Sequence, residues 1–312
     1  PLNPKFTENQ KQKLLKKTRS TFLEQLGLNR VSLEQKPDYN TLKSINTDAW
    51  ASIIFTSGST GFPKAVVHSL ANHFYSALGA NQVMSLNPGD RWMMSLPLYH
   101  VGGLAIFFRT LLSGATLVVP CEKLTLAESL IDNKISHLSL VPTQLYRLLQ
   151  SSDGIDSLLH LKLILLGGSA IPVTLLDQSL ELGLNIKTTY GSTEMASQVA
   201  TGKKDSYQIL PFREVRISSE NDACPEIEVR GKTRFLGYLD ELVLNQPFDK
   251  NGWFKTGDLG TLNDKPAGDN DFQHKKKNEE SQKLLKNPSD IYNILTVLGR
   301  KDSMFISGGE NI

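Results

Sequence analysis

The segment Thr56-Ser57-Gly58-Ser59-Thr60-Gly61-Phe62-Pro63-Lys64 gathers glycines, hydroxyls and one lysine within a few residues. Glycines permit positive φ and let a ligand approach the backbone closely. Ser57, Ser59 and Thr60 add hydroxyl donors, and the loop's own N–H groups can form an anion nest. Lys64 adds a mobile positive charge. The set suits a polyphosphate, each charge-assisted contact contributing about 1.5–3 kcal/mol. It is not the phosphate loop of ordinary NTPases, which ends in Gly-Lys-Ser/Thr; here Pro63 precedes Lys64 and Ala65 follows it. It is not a hydrolase nucleophile elbow either, because Ser57 stands two residues before Ser59 where that motif has Gly.

Further candidates lie downstream. Glu194 closes Tyr190-Gly191-Ser192-Thr193-Glu194. A carboxylate near phosphates repels them unless a cation bridges the two, and Mg²⁺ is the natural partner. Asp258 follows Gly257 at an expected strand end and can accept two hydrogen bonds from a ribose diol. Gly167-Gly168-Ser169-Ala170 follows an apolar run; its glycines allow backbone to lie against a flat ligand. It lacks the Gly-x-Gly-x-x-Gly spacing of a dinucleotide fingerprint. Arg109 interrupts the apolar stretch Val101 to Leu112. Such an arginine either pairs with an anion or snorkels to the surface.

The elements that must position these residues read as α/β. Phe6 to Leu26 is an amphipathic surface helix with a basic wet face. Trp50 to Thr56 is a buried strand running into the loop, and His68 to Met84 a helix after it. Strands are expected at Arg91–Leu96, Ala115–Val119, His137–Val141, Leu161–Leu166 and Ile186–Thr189, with helices at Leu124–Lys134 and Gln144–Gln150. That alternation predicts mostly parallel sheets covered by helices. Alternating polar and apolar residues at Glu214–Ser218 and Glu226–Arg230 mark antiparallel strands with one wet face. Three units are therefore expected: an α/β core over 1–209, a small antiparallel β subdomain over 210–298, and a hinge over 299–312. A polar stretch from Asn263 to Asp290 reads as an exposed insertion.

Composition excludes several classes. The 312 residues carry a net charge of only +2, with no excess of base for general nucleic-acid binding. Cys121 and Cys224 stand far apart, so neither a zinc site nor a disulfide framework is expected, and a reduced cytoplasmic setting is the plain reading. No apolar run reaches the ~18 residues of a membrane span. The oligomeric state stays open, a homodimer included.

Together, the motifs resemble those of the adenylate-forming superfamily: acyl-CoA synthetases, luciferases and nonribosomal peptide adenylation domains. Thr56–Lys64 resembles its phosphate loop and Tyr190–Glu194 its aromatic-Gly-x-Thr-Glu motif. Pro225-Glu226-Ile227 through Gly231 to Gly237-Tyr238 resembles its barrel motif, with Pro225 where Gly is usual. Trp253-Phe254-Lys255-Thr256-Gly257-Asp258 resembles its Thr-Gly-Asp motif, and Gly299-Arg300-Lys301-Asp302 its hinge. All stand in the family's order, which is more specific than any single loop.

The resemblance implies that a carboxylate joins the α-phosphate of ATP, pyrophosphate leaves, and the acyl group passes to CoA. It implies that Thr56 to Gly61 and Lys64 wrap the pyrophosphate, Thr193 contacts the α-phosphate, and Glu194 holds Mg²⁺. Tyr190 stacks on adenine, flanked by Gly168, Ser169, Ala170, Gly191 and Ser192. Asp258 and Arg300 reach the ribose, and Asp302 is the pivot of a C-terminal lid. Both ends of the chain look cut, and a lysine that the family carries near the end of the lid falls outside it. The expectation is a chain that binds nucleotide but adenylates poorly.

For the acid, Thr193-Glu194-Met195-Ala196-Ser197-Gln198 resembles the o-succinylbenzoate–CoA ligases of menaquinone and phylloquinone synthesis. Pro97–Leu104 and Ser307–Ile312 agree but recur in other acyl-CoA ligases. That resemblance implies an acyl pocket bordered by His100, Gly167, Gly191, Ser192 and Gln198. Arg109 is its candidate for the second carboxylate. His100 has an alternative as a satisfied core residue. A ligase for another aryl or fatty acid, or a non-catalytic nucleotide-binding relative, remains open.

Overall fold

A computed structural model describes residues 2–18, 46–56, 63–204, 206–218, 225–266, 291–301, 306–307 and 310–311. Ser57 to Phe62 and Asp302 lie outside them, so the centre of the phosphate loop and the expected pivot receive no structural account.

The first element is helix α1 (Glu8–Thr18). Strands β1 (Trp50–Thr56) and β2 (Lys64–Ser69) then pair antiparallel, with Thr56 opposite Lys64. This corrects the expected strand-loop-helix. The segment after the loop is a strand through Ser69, because Val66, Val67 and His68 are all buried there. Helix α2 (Leu70–Met84) starts only where Ser69 caps it, accepting from Asn72 N–H while the Asn72 side chain accepts from Ser69 N–H.

Next come β3 (Arg91–Met93), α3 (Val101–Ser113), β4 (Thr116–Val118), α4 (Leu126–Asp132), β5 (His137–Leu140), α5 (Pro142–Leu148), α6 (Ser152–Leu159), β6 (Leu163–Leu166), α7 (Val173–Glu181) and β7 (Ile186–Ser192). Helix α3 stops at Gly114, whose φ of 69° suits a residue without Cβ. After β7 follow β8 (Ser197–Lys203), β9 (Ser206–Ile209), β10 (Arg213–Ile217), β11 (Glu226–Gly231), β12 (Gly237–Asp240), β13 (Val243–Asn245), β14 (Phe254–Pro266) and β15 (Ile291–Arg300).

One eleven-stranded sheet runs β10-β11-β14-β15-β9-β8-β7-β6-β5-β3-β4. Strands β3 to β7 pair parallel, as the alternating βα pattern predicts. From β7 outward the pairs are antiparallel. The α/β class holds, and the sheet is mixed, with its parallel half fully buried at β5 and β6. A second sheet, β1-β2-β12-β13, carries the flanks of the phosphate loop.

Of the polar stretch expected from Asn263 to Asp290, residues 267–290 lie outside the described ones, and Asn263 to Pro266 belong to a strand. Strand β14 continues to Pro266, and Pro266 pairs with Ile291 of β15. Among the described residues, no helix is long and apolar enough to cross a membrane.

Candidate active site

The two sheets meet where β7 ends. Its last residues, Tyr190 to Ser192, pass into a 3-10 turn at Thr193–Met195 before β8 returns. Gly191 is required there: a Cβ would strike the carbonyl of Ser197 on β8. The turn is tied to the second sheet by Phe235 N–H, which donates to the Glu194 carbonyl at 2.7 Å.

Asp258 reaches the same place through an irregularity in β14. Two residues of β11, Glu226 and Glu228, span the distance from Leu259 to Lys255 on β14, so Thr256-Gly257-Asp258 bulges out of register. Gly257 sits at φ 76°, and its N–H donates to Glu226 Oε1 at 2.9 Å. Bulges of this kind re-aim a side chain next to a site. The sequence places Asp258 at a strand end; it lies inside a strand, displaced by the bulge.

The bulge delivers Asp258 to Tyr190 and Arg300. The Tyr190 hydroxyl donates to Asp258 Oδ2 at 2.7 Å, and Arg300 Nη1 donates to Oδ1 at 3.1 Å. Burial raises the Asp258 pKa, against the opposing pull of Tyr190 and Arg300. Burial, then the Asp258 charge, pushes the Tyr190 phenol far up, so it stays a donor. Each Asp258 oxygen retains a lone pair for a diol.

Glu194 is held in a parallel way. The Tyr238 hydroxyl donates to its Oε1 at 2.8 Å. Burial and then the Glu194 charge raise the Tyr238 phenol. Among the described residues no donor reaches the other oxygen, Oε2. One free hard oxygen suits Mg²⁺, which keeps several waters and takes one or two carboxylates plus phosphates. No cluster of three or more acidic, His or Cys side chains forms a protein cage among the described residues. Lys64 is exposed and sits with Nζ 5.2 Å from the Tyr238 ring centre.

The other end of the site is apolar and basic. Arg109, on α3, is 1% exposed, which rules out snorkelling. Among the described residues its Nη2 reaches only Ser197 Oγ, at 3.4 Å, and its Nε has no partner; its guanidinium lies 5.6 Å from the Trp92 ring centre. Burial pulls its pKa down to about 9, which leaves it charged at neutral pH. Gln198 is buried and donates Nε2 to Thr189 Oγ1 at 3.1 Å, and its Oε1 has no partner among the described residues. Ser192 Oγ is likewise buried and without a partner among the described residues. Gly167 follows β6 and lies against Thr189, where a Cβ would collide with that side chain. Gly168, at φ 88°, Ser169 and Ala170 follow it into the open. His100 precedes α3, half-buried, its ring 4.6 Å from that of Tyr99.

Asp258 thus joins Tyr190 to Arg300, and Tyr238 joins Glu194 to Lys64, with Tyr190 and Glu194 brought together by the turn at the end of β7. Arg109 and Gln198 approach from the β8 side through Ser197 and Thr189. Sequence reasoning assigned no role to Tyr238, Arg213 or Glu226. Arg213 is buried and donates Nε to the Gln198 carbonyl at 2.7 Å and Nη2 to Ser76. Glu226 accepts from Gly257 and from Lys301. Tyr238 and Glu226 stand in the barrel motif, but only pairing across the sheets shows what they touch.

This arrangement is that of an adenylate-forming enzyme: residues 2–239 match the AMP-binding enzyme family, and the chain belongs to it. Within that family it is similar to 2-succinylbenzoate–CoA ligases. The Salmonella typhimurium enzyme is 38% identical over 265 residues, 84% of this chain and 50% of that one. The Bacillus licheniformis enzyme is 32% identical over 292 residues, 88% and 55% respectively. The structure of E. coli MenE with a bound m-phenylether-linked analogue of OSB-AMS aligns with TM-score 0.73 and 30% identity. It covers 100% of this chain and 63% of that one. The Bacillus subtilis o-succinylbenzoate coenzyme A synthetase with ATP and magnesium aligns with TM-score 0.64 and 29% identity, covering 86% and 54%. The chain spans about half the length of the curated relatives it matches.

Proposed function

We propose that this chain is the nucleotide- and acid-binding part of a cytoplasmic 2-succinylbenzoate–CoA ligase of menaquinone or phylloquinone synthesis. The substrates are ATP, 2-succinylbenzoate and CoA. The carboxylate oxygen attacks the α-phosphorus, the bond to pyrophosphate breaks, and pyrophosphate leaves with the electron pair. The CoA sulfur then attacks the acyl carbon and displaces AMP, its proton passing to solvent. Positioning and charge neutralisation carry most of such a reaction.

In this reading Thr56 to Gly61 and Lys64 enclose the β- and γ-phosphates, and Thr193 meets the α-phosphate. Tyr190 lies against adenine between the Gly168–Ala170 and Gly191–Ser192 backbones. Asp258 and Arg300 hold the ribose, and Asp302 is the pivot between half-reactions. Bound magnesium would neutralise phosphate charge, held by Glu194. Gly167, His100 and Gln198 border the acid. The units 1–209, 210–298 and 299–312 serve as core, β subdomain and hinge.

The observation that carries the choice of acid is the buried Arg109 guanidinium, which meets no carboxylate among the described residues. A charge left so is costly unless a ligand supplies its partner. A dicarboxylate has one group to activate and one to pair with Arg109. A fatty or simple aryl acid leaves Arg109 without a counter-ion. The test is pyrophosphate release across a panel of acids, with ATP binding measured alongside. 2-Succinylbenzoate should exceed its succinyl methyl ester and all monoacids. Equal turnover of a monoacid would sink this assignment, and ATP binding without turnover of any acid would favour the non-catalytic reading.

A further inference from the structure

The hydroxyl of Tyr238 donates to Glu194 Oε1 at 2.8 Å, while the face of the same ring lies 5.2 Å from Lys64 Nζ. One side chain thus touches both the acid in the turn after β7 and the lysine that ends the phosphate loop. The backbone fixes it in that place. Strand β12 pairs with β2 so that Tyr238 stands opposite Val66, and Leu236 N–H donates to the Val67 carbonyl at 2.8 Å. One residue earlier, Phe235 N–H donates to the Glu194 carbonyl at 2.7 Å. Gly237, at φ 149°, lets the strand lie against β13, where a Cβ would meet Asn245 O at 2.5 Å. The ring itself packs edge-on to Phe235, with centres 4.8 Å apart.

We propose that Tyr238 is a positioning residue. Its hydroxyl occupies one oxygen of Glu194 and aims the other at the magnesium that accompanies ATP, and its ring keeps Lys64 beside that carboxylate. This rests on the reading of Glu194 given above. Mg²⁺ demands near-ideal geometry, so a carboxylate already fixed in one rotamer binds it with less ordering to do. Outer partners of metal-binding groups commonly change metal affinity by about 10–100-fold when removed. The cation over the ring face adds a smaller attraction that the hydroxyl does not control.

Tyr238→Phe keeps the ring and its packing and removes only the hydroxyl. ATP binding is measured by calorimetry in EDTA and across a Mg²⁺ series, with Mn²⁺ spin resonance as a direct metal readout. The same is done for Glu194→Gln and the double variant, and melting temperatures confirm folding. Tyr238→Phe should raise the metal concentration for half-saturation roughly tenfold and leave ATP affinity in EDTA unchanged. In the Glu194→Gln background it should add nothing, because it acts through that carboxylate. An unchanged metal requirement in a folded Tyr238→Phe protein, or additive effects in the double variant, would overturn the inference. If Tyr238→Phe lowers the melting point, the EDTA arm and the double variant still separate lost packing from lost positioning. Wild-type protein whose ATP binding ignores Mg²⁺ would overturn the reading of Glu194 and the inference with it.

Discussion

Around the end of β7 and the bulge of β14, acids meet donors. Asp258 has Tyr190 and Arg300, Glu194 has Tyr238, and Glu226 has Gly257 N–H and Lys301. Around α3 and β8 two arginines, Arg109 and Arg213, are buried, and among the described residues neither meets a carboxylate. Arg213 spends its donors on the carbonyls of Gln198, Pro211 and Ser76 and so serves the fold. Among the described residues Arg109 has one hydrogen bond, a long one to a hydroxyl. The contrast separates two uses of buried charge. Where partners are built in, the groups hold a shape that a ligand joins. Where the partner is withheld, the fold bears a cost that a ligand removes.

The sharpest way to break the nucleotide half is Glu194→Gln. Pyrophosphate release at saturating Mg²⁺ should fall about a hundredfold or more, since metal-borne charge stabilisation is worth several kcal/mol. A loss of only a few-fold would mean that Glu194 does not hold the metal. For the acid half, Arg109→Met should raise KM for 2-succinylbenzoate by roughly 30-fold, near 2 kcal/mol for a charge-assisted contact, and leave KM for ATP within about twofold. The same variant should melt at a higher temperature, because an unmatched buried cation is gone. A lower melting point together with an unchanged acid KM would make Arg109 structural.

A smaller effect probes the ground behind Arg109. His73 stacks on Phe108, ring centres 4.8 Å apart, and lies 5.0 Å from His68. Burial lowers both, His68 to about 3 with help from His73, and His73 to about 4. Their folded values lie below the unfolded one, so the unfolded chain takes up protons first. Stability is complete above pH 6.5 and is lost as pH falls toward 4, by roughly 1 kcal/mol per histidine at pH 5.5. Urea midpoints from pH 7 to 5 measure that slope, and His73→Gln should flatten it. The least effect is expected of Gly257→Ala. At φ 76° a Cβ costs about 1 kcal/mol, and it would stand 3.3 Å from Arg300 Nη2. ATP affinity should weaken a few-fold, with acid affinity untouched.

The parallel half was legible in sequence because each buried strand is a short apolar run between helical patterns. His137–Leu140 and Leu163–Leu166 fall within the expected spans. His68 and Ser69 misled because, followed by Leu70, they fit a helix start as well as a strand end. Pairing with β1 and β12 decided it. Glu194 and Asp258 were recognisable from their motifs, whereas Tyr238 carried no local mark beyond a Gly-Tyr pair. The alternatives for Arg109 were undecidable in one dimension, since burial depends on what α3 packs against.

The order of short motifs along the chain by itself determined the family and the kind of ligand. Each motif states its chemistry locally, through glycines that free the backbone and side chains that carry charge. Tertiary structure alone decided which charges are answered. Tyr190 and Asp258 are 68 residues apart, Tyr238 and Glu194 44 apart, and Arg109 and Ser197 88 apart. Hydrogen bonds over such separations arise from sheet register and helix packing, and no local stretch of sequence encodes them.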